Sequence, residues 1–290
     1  MSKSNDELNR MRSYSSIFSS TYFTKLLKND DYSFINDKIV NYDKREIGKK
    51  INTYNDYIRF VYRELIKNYR NEYVYKNTFI NELILKQYGL SETNVINEFR
   101  VGNSVADIVM FNGTSKAFEI KTELDSNKRL SGQLLDYRKV FKESYIITHE
   151  NLAEKYLKED ENVGIIILKQ MPRSLKMVEI RKAKINDKIC PNTVMRVVRT
   201  NEYKNIVKEY FGGLPEMNSF NMFSICEKLI EKIPQEDLNE LFINELKKRK
   251  TNTSRIKIYQ KELRQLGLAM NLNDVKYSKL LEVLNEPIKL

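Results

Sequence analysis

Histidine occurs once in this chain, at His149, cysteine twice, at Cys190 and Cys226, and tryptophan not at all. A single histidine excludes His-based metal cages and leaves a Ser-His-Asp triad dependent on one position. The two cysteines stand far apart with no CxxC spacing, so neither a zinc site nor a disulfide framework is indicated. No segment matches GxxxxGK[ST] or GxGxxG, which removes the sequence support for nucleotide-driven motors and dinucleotide enzymes. Internal repeats and low-complexity tracts are also lacking. The longest apolar run, "VGIIIL" at 163–168, is far too short to cross a membrane, and the polar start "MSKSNDELNR" is no signal peptide. A cytoplasmic protein without a membrane partner is expected. Its chemistry must rest on carboxylates, lysines, amides and hydroxyls.

What is present is charge and enough apolar mass for a core. The chain has 290 residues, of which 41% are hydrophobic, enough for one large domain or two modest ones. Fifty basic residues against 39 acidic ones give a net charge of +11, spread along the chain. Such a balance favours polyanionic partners without specifying a sequence or a mechanism. Eighteen tyrosines add surfaces that serve equally for stacking and for core packing.

Three regions follow from the patterning. Residues 1–74 read as a helical accessory region: "NDYIRFVYRELIKNYRN" places Tyr57, Ile58, Val61, Tyr62, Leu65 and Ile66 at helical spacing, behind Asn55 and Asp56 as candidate caps. Residues 75–188 read as helix, three short strands, helix, strand, helix, strand and hairpin, with turns at "VGNS" and "FNGTS". Residues 189–290 return to helices, broken at "FGGLPEMNSF". The fold class is α/β, a mixed-sheet core with helical N- and C-terminal regions.

The chemistry concentrates in "VADIVMFNGTSKAFEIKTELDS", residues 105–126. In "SVADIVMF" both faces of a strand are apolar except at Asp107, and a carboxylate withdrawn from water is costly unless paired or metal-bound. In "KAFEIKTEL" alternation sets Glu119, Lys121 and Glu123 on one face. A turn at Asn112-Gly113 folds this strand beside the first and brings Glu119 and Lys121 next to Asp107. Two neighbouring carboxylates repel unless a cation lies between them, and Mg²⁺ needs only one or two protein carboxylates. A lysine beside such an ion can stabilise charge developing on a phosphate. The alternative is an exposed hairpin with a Glu-Lys surface pair. Further on, "NKRLSGQLLDYRKVFKESYIITHE" places Gln133 and Tyr137 at i and i+4 on one side of a helix, with Leu130, Leu134, Val140 and Phe141 available to pack it on the sheet. "SYIIT" then reads as the next strand.

This order of elements resembles the PD-(D/E)xK nuclease superfamily, with its restriction-endonuclease-like core. Within it the chain is most similar to the sce7726-type family, through Asp107, "EIK" at 119–121, Asp125, "RL" at 129–130, and Gln133 with Tyr137. The resemblance extends over residues 94–168. It implies that Asp107 and Glu119 ligate Mg²⁺ or Mn²⁺ with the backbone carbonyl of Ile120. It further implies that Lys121 positions the nucleophile and that Gln133 bonds to the lysine or near the scissile phosphate. Ala106 stands where the superfamily's name has proline.

A further acid is expected from Glu98 in "INEFRV", on the strand before Asp107, with Glu82 as the other candidate; Glu82 falls opposite an apolar stripe, as a solvated residue would. Lys128, Arg129, Tyr137 and Arg138 are candidate nucleic-acid contacts, the charged three serving equally as a solvated surface. His149 fits a cap or packing role better than catalysis. The "LKQMPRSLKMVEIRKAKI" hairpin and "KKRK" at 247–250 offer cations to nucleic acid or to water. The expectation is a Mg-dependent nuclease, a hydrolase acting on DNA in preference to RNA, with a protein partner or homo-oligomer forming through its helical regions. The alternatives are a catalytically inactive nucleic-acid-binding protein and a protein-interaction module of a toxin or defence system.

Overall fold

The computed structural model describes residues 5–172 and 174–290. Residues 1–4 of the polar start and Arg173 of the expected hairpin lie outside the described residues. The chain forms two units, Met1–Leu85 with Ser254–Leu290, and Lys86–Thr253.

The second unit carries a six-stranded sheet in the order β1 (Asn94–Val101), β2 (Ser104–Phe111), β3 (Ser115–Lys121), β4 (Glu143–His149), β5 (Gly164–Gln170) and β6 (Leu175–Arg181). β1, β2 and β3 pair antiparallel, β3 with β4 and β4 with β5 pair parallel, and β6 returns antiparallel. The connections explain that change of direction. Short turns join the antiparallel strands, with Gly102 and Gly113 at φ +58° and +65° supplying left-handed residues. The parallel crossovers need longer links, and helices Leu130–Arg138 and Ala153–Leu157 provide them. The three strands expected over residues 94–122 are present, and so is the helix, strand, helix, strand and hairpin order expected after them.

One face of this sheet packs on helices. Val109, Phe111, Ala117, Ile146 and Ile165 share a buried core with Leu134 and Tyr137, with Val194 of helix Pro191–Val197, Ile206 of helix Thr200–Phe211, and Phe242 of helix Gln235–Lys247. The helices between Pro191 and Lys247 therefore belong with the sheet, because Val194, Ile206 and Phe242 of their apolar stripes enter its core. Contacts divide the chain at 85/86 and 253/254, not at the 74/75 and 188/189 boundaries expected from patterning.

In the first unit, helix Tyr54–Asn68 buries Tyr57, Ile58, Val61, Tyr62 and Leu65, the stripe read from its spacing. Its cap is Thr53, which forms a reciprocal capping box with Asp56, whereas Asn55 is buried inside the first turn. Asp43 is 2% exposed, with the hydroxyls of Tyr14 and Tyr57 and the guanidinium of Arg10 donating to it. Among the described residues no helix is long and apolar enough to cross a membrane.

Candidate active site

The site begins where two strands separate. The β2–β3 ladder runs from Phe111↔Ser115 to Ile108↔Phe118 and stops, although one further step would set Asp107 opposite Glu119. Beyond that point β3 stays paired with β4 alone, through Glu119↔Ile146 and Lys121↔Thr148. The Ile120 amide has thus lost its strand partner on the β2 side, and Asp107 replaces it: Oδ2 accepts the Ile120 N–H at 2.8 Å. A backbone donor is satisfied by a side chain, and the carboxylate is held beside β3.

The β1–β2 ladder has its own irregularity at the same row. Asn97↔Ile108 and Phe99↔Ala106 are paired, while Glu98, the residue that faces Asp107 in this register, is skipped. Glu98 takes φ +54°, a left-handed conformation that a non-glycine residue adopts at a cost on the order of 1–3 kcal/mol. Strand alternation reverses there: Phe99 and Ala106 enter the helix-covered core on one side of the row, Val109 and Phe111 on the other.

Glu119 is the hub. Its carboxylate is 3% exposed as a residue and receives three donors. Lys121 Nζ reaches Oε1 at 2.8 Å, Gln133 Nε2 reaches the same oxygen at 2.7 Å, and the Tyr137 hydroxyl reaches Oε2 at 2.5 Å. Lys121 Nζ also donates to Gln133 Oε1 at 3.1 Å, which closes a triangle and fixes the orientation of the amide. A buried carboxylate and a buried ammonium are tolerable only under such full hydrogen bonding. Burial, then the negative charge and hydrogen bond of Glu119, push the Tyr137 phenol far above its ordinary range, so it stays a donor.

The helix that supplies Gln133 and Tyr137 is placed by that same face. Leu130, Leu134 and Tyr137, at i, i+4 and i+7, all enter the sheet core, which carries the adjoining position 133 toward β3. Tyr137 is itself fully buried, with its hydroxyl also 2.9 Å from the Val105 carbonyl. It therefore supports Glu119 from below; the sequence expectation of a nucleic-acid contact is corrected.

The remaining candidates fall into different settings. Lys128 and Arg129 are exposed in the turn before the helix, open to a polyanion. Arg138 is held by an ion pair with Asp160. Asp125 Oδ2 accepts both the amide and the hydroxyl of Thr122 at 2.8 Å, so it shapes the linker after β3. His149 is buried, and its Nδ1 accepts the Asn151 amide at 3.2 Å, the capping role expected of it. Glu98 is exposed and Glu82 belongs to the first unit. Among the described residues no three of His, Cys, Asp and Glu gather into a group that could hold a metal ion. Thr148, whose hydroxyl donates to the Lys121 carbonyl at 2.8 Å, escaped sequence reasoning, because only the parallel register brings it beside Lys121.

The donor set suits a hard cation. Asp107 and Glu119 offer oxygen ligands from adjacent strands, and with Lys121 they leave a formal charge of −1 at the end of the sheet. Mg²⁺ is commonly held by one or two carboxylates and its own waters, so the residues present fit such an ion without a third acid.

An open mixed sheet with an acid–lysine–amide network at the end of β3 defines the class of structure. The bacteriophage P4 protein cII family matches residues 66–271, and the chain belongs to that family. Protein cII of Enterobacteria phage P4 is 27% identical over 176 residues, 60% of this chain and 66% of the phage protein. The chain thus spans just under two thirds of that relative's length. Among solved structures, a protein of unknown function from Silicibacter pomeroyi is similar at 10% identity and a TM-score of 0.32, covering 50% of this chain and 94% of its own.

Proposed function

We propose that this protein is a cytoplasmic, metal-dependent nuclease of the PD-(D/E)xK type that hydrolyses phosphodiester bonds, in DNA in preference to RNA. The observation that carries the reading is the network in which Lys121 and Gln133 meet on Glu119 while Asp107 is pinned to the neighbouring Ile120 amide. Asp107, Glu119 and the Ile120 carbonyl would hold Mg²⁺ or Mn²⁺. Such an ion supplies Lewis-acid polarisation of a phosphoryl oxygen and a more acidic bound water.

The protein's own groups do the rest. Lys121 presents an ammonium to the negative charge that grows on the attacked phosphate. Gln133 holds that ammonium in place through its Oε1, and Tyr137 fixes the opposite oxygen of Glu119 so that the carboxylate cannot swing away. Lys128 and Arg129, exposed ahead of the helix, supply sequence-independent contacts to the backbone. The net charge of +11 favours the same partner.

A second reading, a nucleic-acid-binding protein that does not cleave, is favoured by one observation: both Glu119 oxygens are already engaged by protein donors. One assay separates the two. Purified protein is incubated with linear, nicked and circular DNA and with RNA, in Mg²⁺, in Mn²⁺ and in EDTA. Metal-dependent products that disappear in Glu119→Ala support the nuclease. Binding without cleavage, with a log–log salt slope of about −0.9 per phosphate contact on duplex DNA, leaves the second reading. Loss of both activities in parent protein would overturn each.

A further inference from the structure

A cavity of about 230 Å³ lies in the sheet unit, lined by Arg138, Lys142, Ser144, Asn162, Lys184 and Asn186 together with Ile185. Three of these residues are cations, and none is an acid. Two of them are placed oddly for residues that serve only the fold. Ser144 is 6% exposed, yet among the described residues its Oγ has no hydrogen-bond partner. The Lys142 side chain is 11% exposed, and the carboxylate it approaches is that of Asp187, 3.5 Å away on a side chain left 80% exposed. A buried hydroxyl and a nearly buried ammonium with hydrogen-bonding capacity unspent are each costly unless a further acceptor completes them.

The surrounding groups make the cavity receptive to an anion. It sits at the C-terminal end of helix Leu130–Arg138, where unpaired carbonyls would repel negative charge. Those carbonyls are already taken: Asn186 Nδ2 donates to the Arg138 carbonyl at 2.5 Å and to that of Phe141 at 3.1 Å, and the Cys190 amide donates to Lys139 O at 2.7 Å. Arg138 is braced by Asp160, and Lys184 by Glu161 at 3.0 Å. Both acids hold the cations from outside the lining. A tetrahedral oxyanion offers acceptors to all four donors at once, and planar guanidinium with flexible ammonium groups is the donor set that phosphate recognition uses. The volume is below the range typical of drug-sized ligands, about 300–1,000 Å³, which suits one phosphate group with little attached.

We propose that this cavity is a phosphate-binding site, with Arg138, Lys142, Lys184 and the Ser144 hydroxyl as donors to one phosphate group. It is separate from the Glu119 network. Ser144 pairs with Ala117 while Glu119 pairs with Ile146, two residues, or about 7 Å, along the strands. The phosphate is that of a nucleic-acid backbone or a free phosphate.

The test uses the full chain. Melting temperature is followed against inorganic phosphate at constant ionic strength, with chloride as the balancing anion, for the parent, Ser144→Ala, Lys184→Gln and Glu119→Gln. The parent should show a saturable rise, as expected of a ligand that binds the folded state. Ser144→Ala removes an unpartnered hydroxyl, so its phosphate-free stability should be unchanged or higher, while its phosphate affinity falls about tenfold or more, the worth of a hydrogen bond to a charged group. Lys184→Gln should weaken phosphate binding likewise, and Glu119→Gln should retain the parent response whether or not the protein cleaves DNA. A second arm measures duplex DNA binding: a parallel loss in Ser144→Ala, with competition by phosphate, identifies the backbone as the source, and unchanged DNA binding identifies free phosphate. The proposal is overturned if phosphate stabilises the parent no more than chloride does, or if Ser144→Ala and Lys184→Gln respond to phosphate as the parent does.

Discussion

Asp107 accepts the amide of Ile120 at the residue where β2 and β3 cease to pair. One carboxylate thereby does two jobs, completing the backbone bonding of a splayed strand and offering oxygen beside Glu119. The two jobs separate by mutation. Asp107→Asn keeps an acceptor for the amide and should melt close to the parent, while metal-dependent cleavage is lost. Asp107→Ala removes the acceptor as well and should destabilise by about 1–3 kcal/mol, the cost of stranding a buried donor. Denaturant unfolding of both variants, alongside cleavage in Mg²⁺ or Mn²⁺, checks this. Equal stability of the two would show that the Ile120 bond carries no weight.

Lys121 and Glu119 should be strongly coupled, being 10% and 4% exposed and 2.8 Å apart. Lys121→Met alone strands a buried carboxylate, and Glu119→Gln alone strands a buried ammonium, so each single change should be destabilising. The double variant should recover part of the loss, because removing both charges leaves neither uncompensated. A double-mutant cycle by urea unfolding reads the coupling directly. For cleavage, Lys121→Met should cost on the order of 10²-fold or more. A variant that cuts at the parent rate would remove Lys121 from the mechanism.

Alkaline stability should be set by buried tyrosines. Burial raises Tyr137, Tyr57 and Tyr14, in each case reinforced by a carboxylate, and pushes Tyr88 up to about 12. Groups with raised folded pKa values contribute stability that is complete below the unfolded value of about 10 and is lost as pH climbs through the folded values. Melting temperature should therefore fall steeply above about pH 10, and tyrosinate absorbance from these residues should appear only with unfolding. Tyr137→Phe should be less stable at neutral pH, since Glu119 loses a donor, yet show a shallower alkaline decline. A decline of the same steepness would mean that Tyr137 ionises freely in the folded protein.

Glu98 should tolerate glycine better than any branched residue. At φ +54° a Cβ is strained, so Glu98→Gly trades relief of that strain against unfolded-chain entropy and should alter stability by under about 1 kcal/mol. Glu98→Val should cost more, on the order of 1–3 kcal/mol. Chemical denaturation of the pair provides the comparison. If metal binding survives Glu98→Gly, the third acid expected from the sequence is dispensable.

Much of this was legible in one dimension. Apolar periodicity marked the strands at 94–121 and the helix carrying Gln133, because a strand repeats every two residues and a helix every 3.6 whatever the rest of the chain does. The same local rules exposed Asp107, Glu119 and Lys121 as charges inside apolar segments. Local pattern went astray where the answer lay in long-range pairing. Tyr137 resembled a surface contact until the sheet turned it onto Glu119. The left-handed kink at Glu98 was not legible either, being a property of how β1 and β2 fit together. The helices after residue 189 looked like a separate module, since amphipathicity shows that a face will be buried and not in which core. Sequence by itself determined which elements form and which residues are chemically unusual, both consequences of short-range sterics and side-chain polarity. Tertiary structure alone decided which of those residues meet, because the Glu119–Lys121–Gln133–Tyr137 network depends on where β3 leaves β2 and how the following helix is rolled by Leu130 and Leu134.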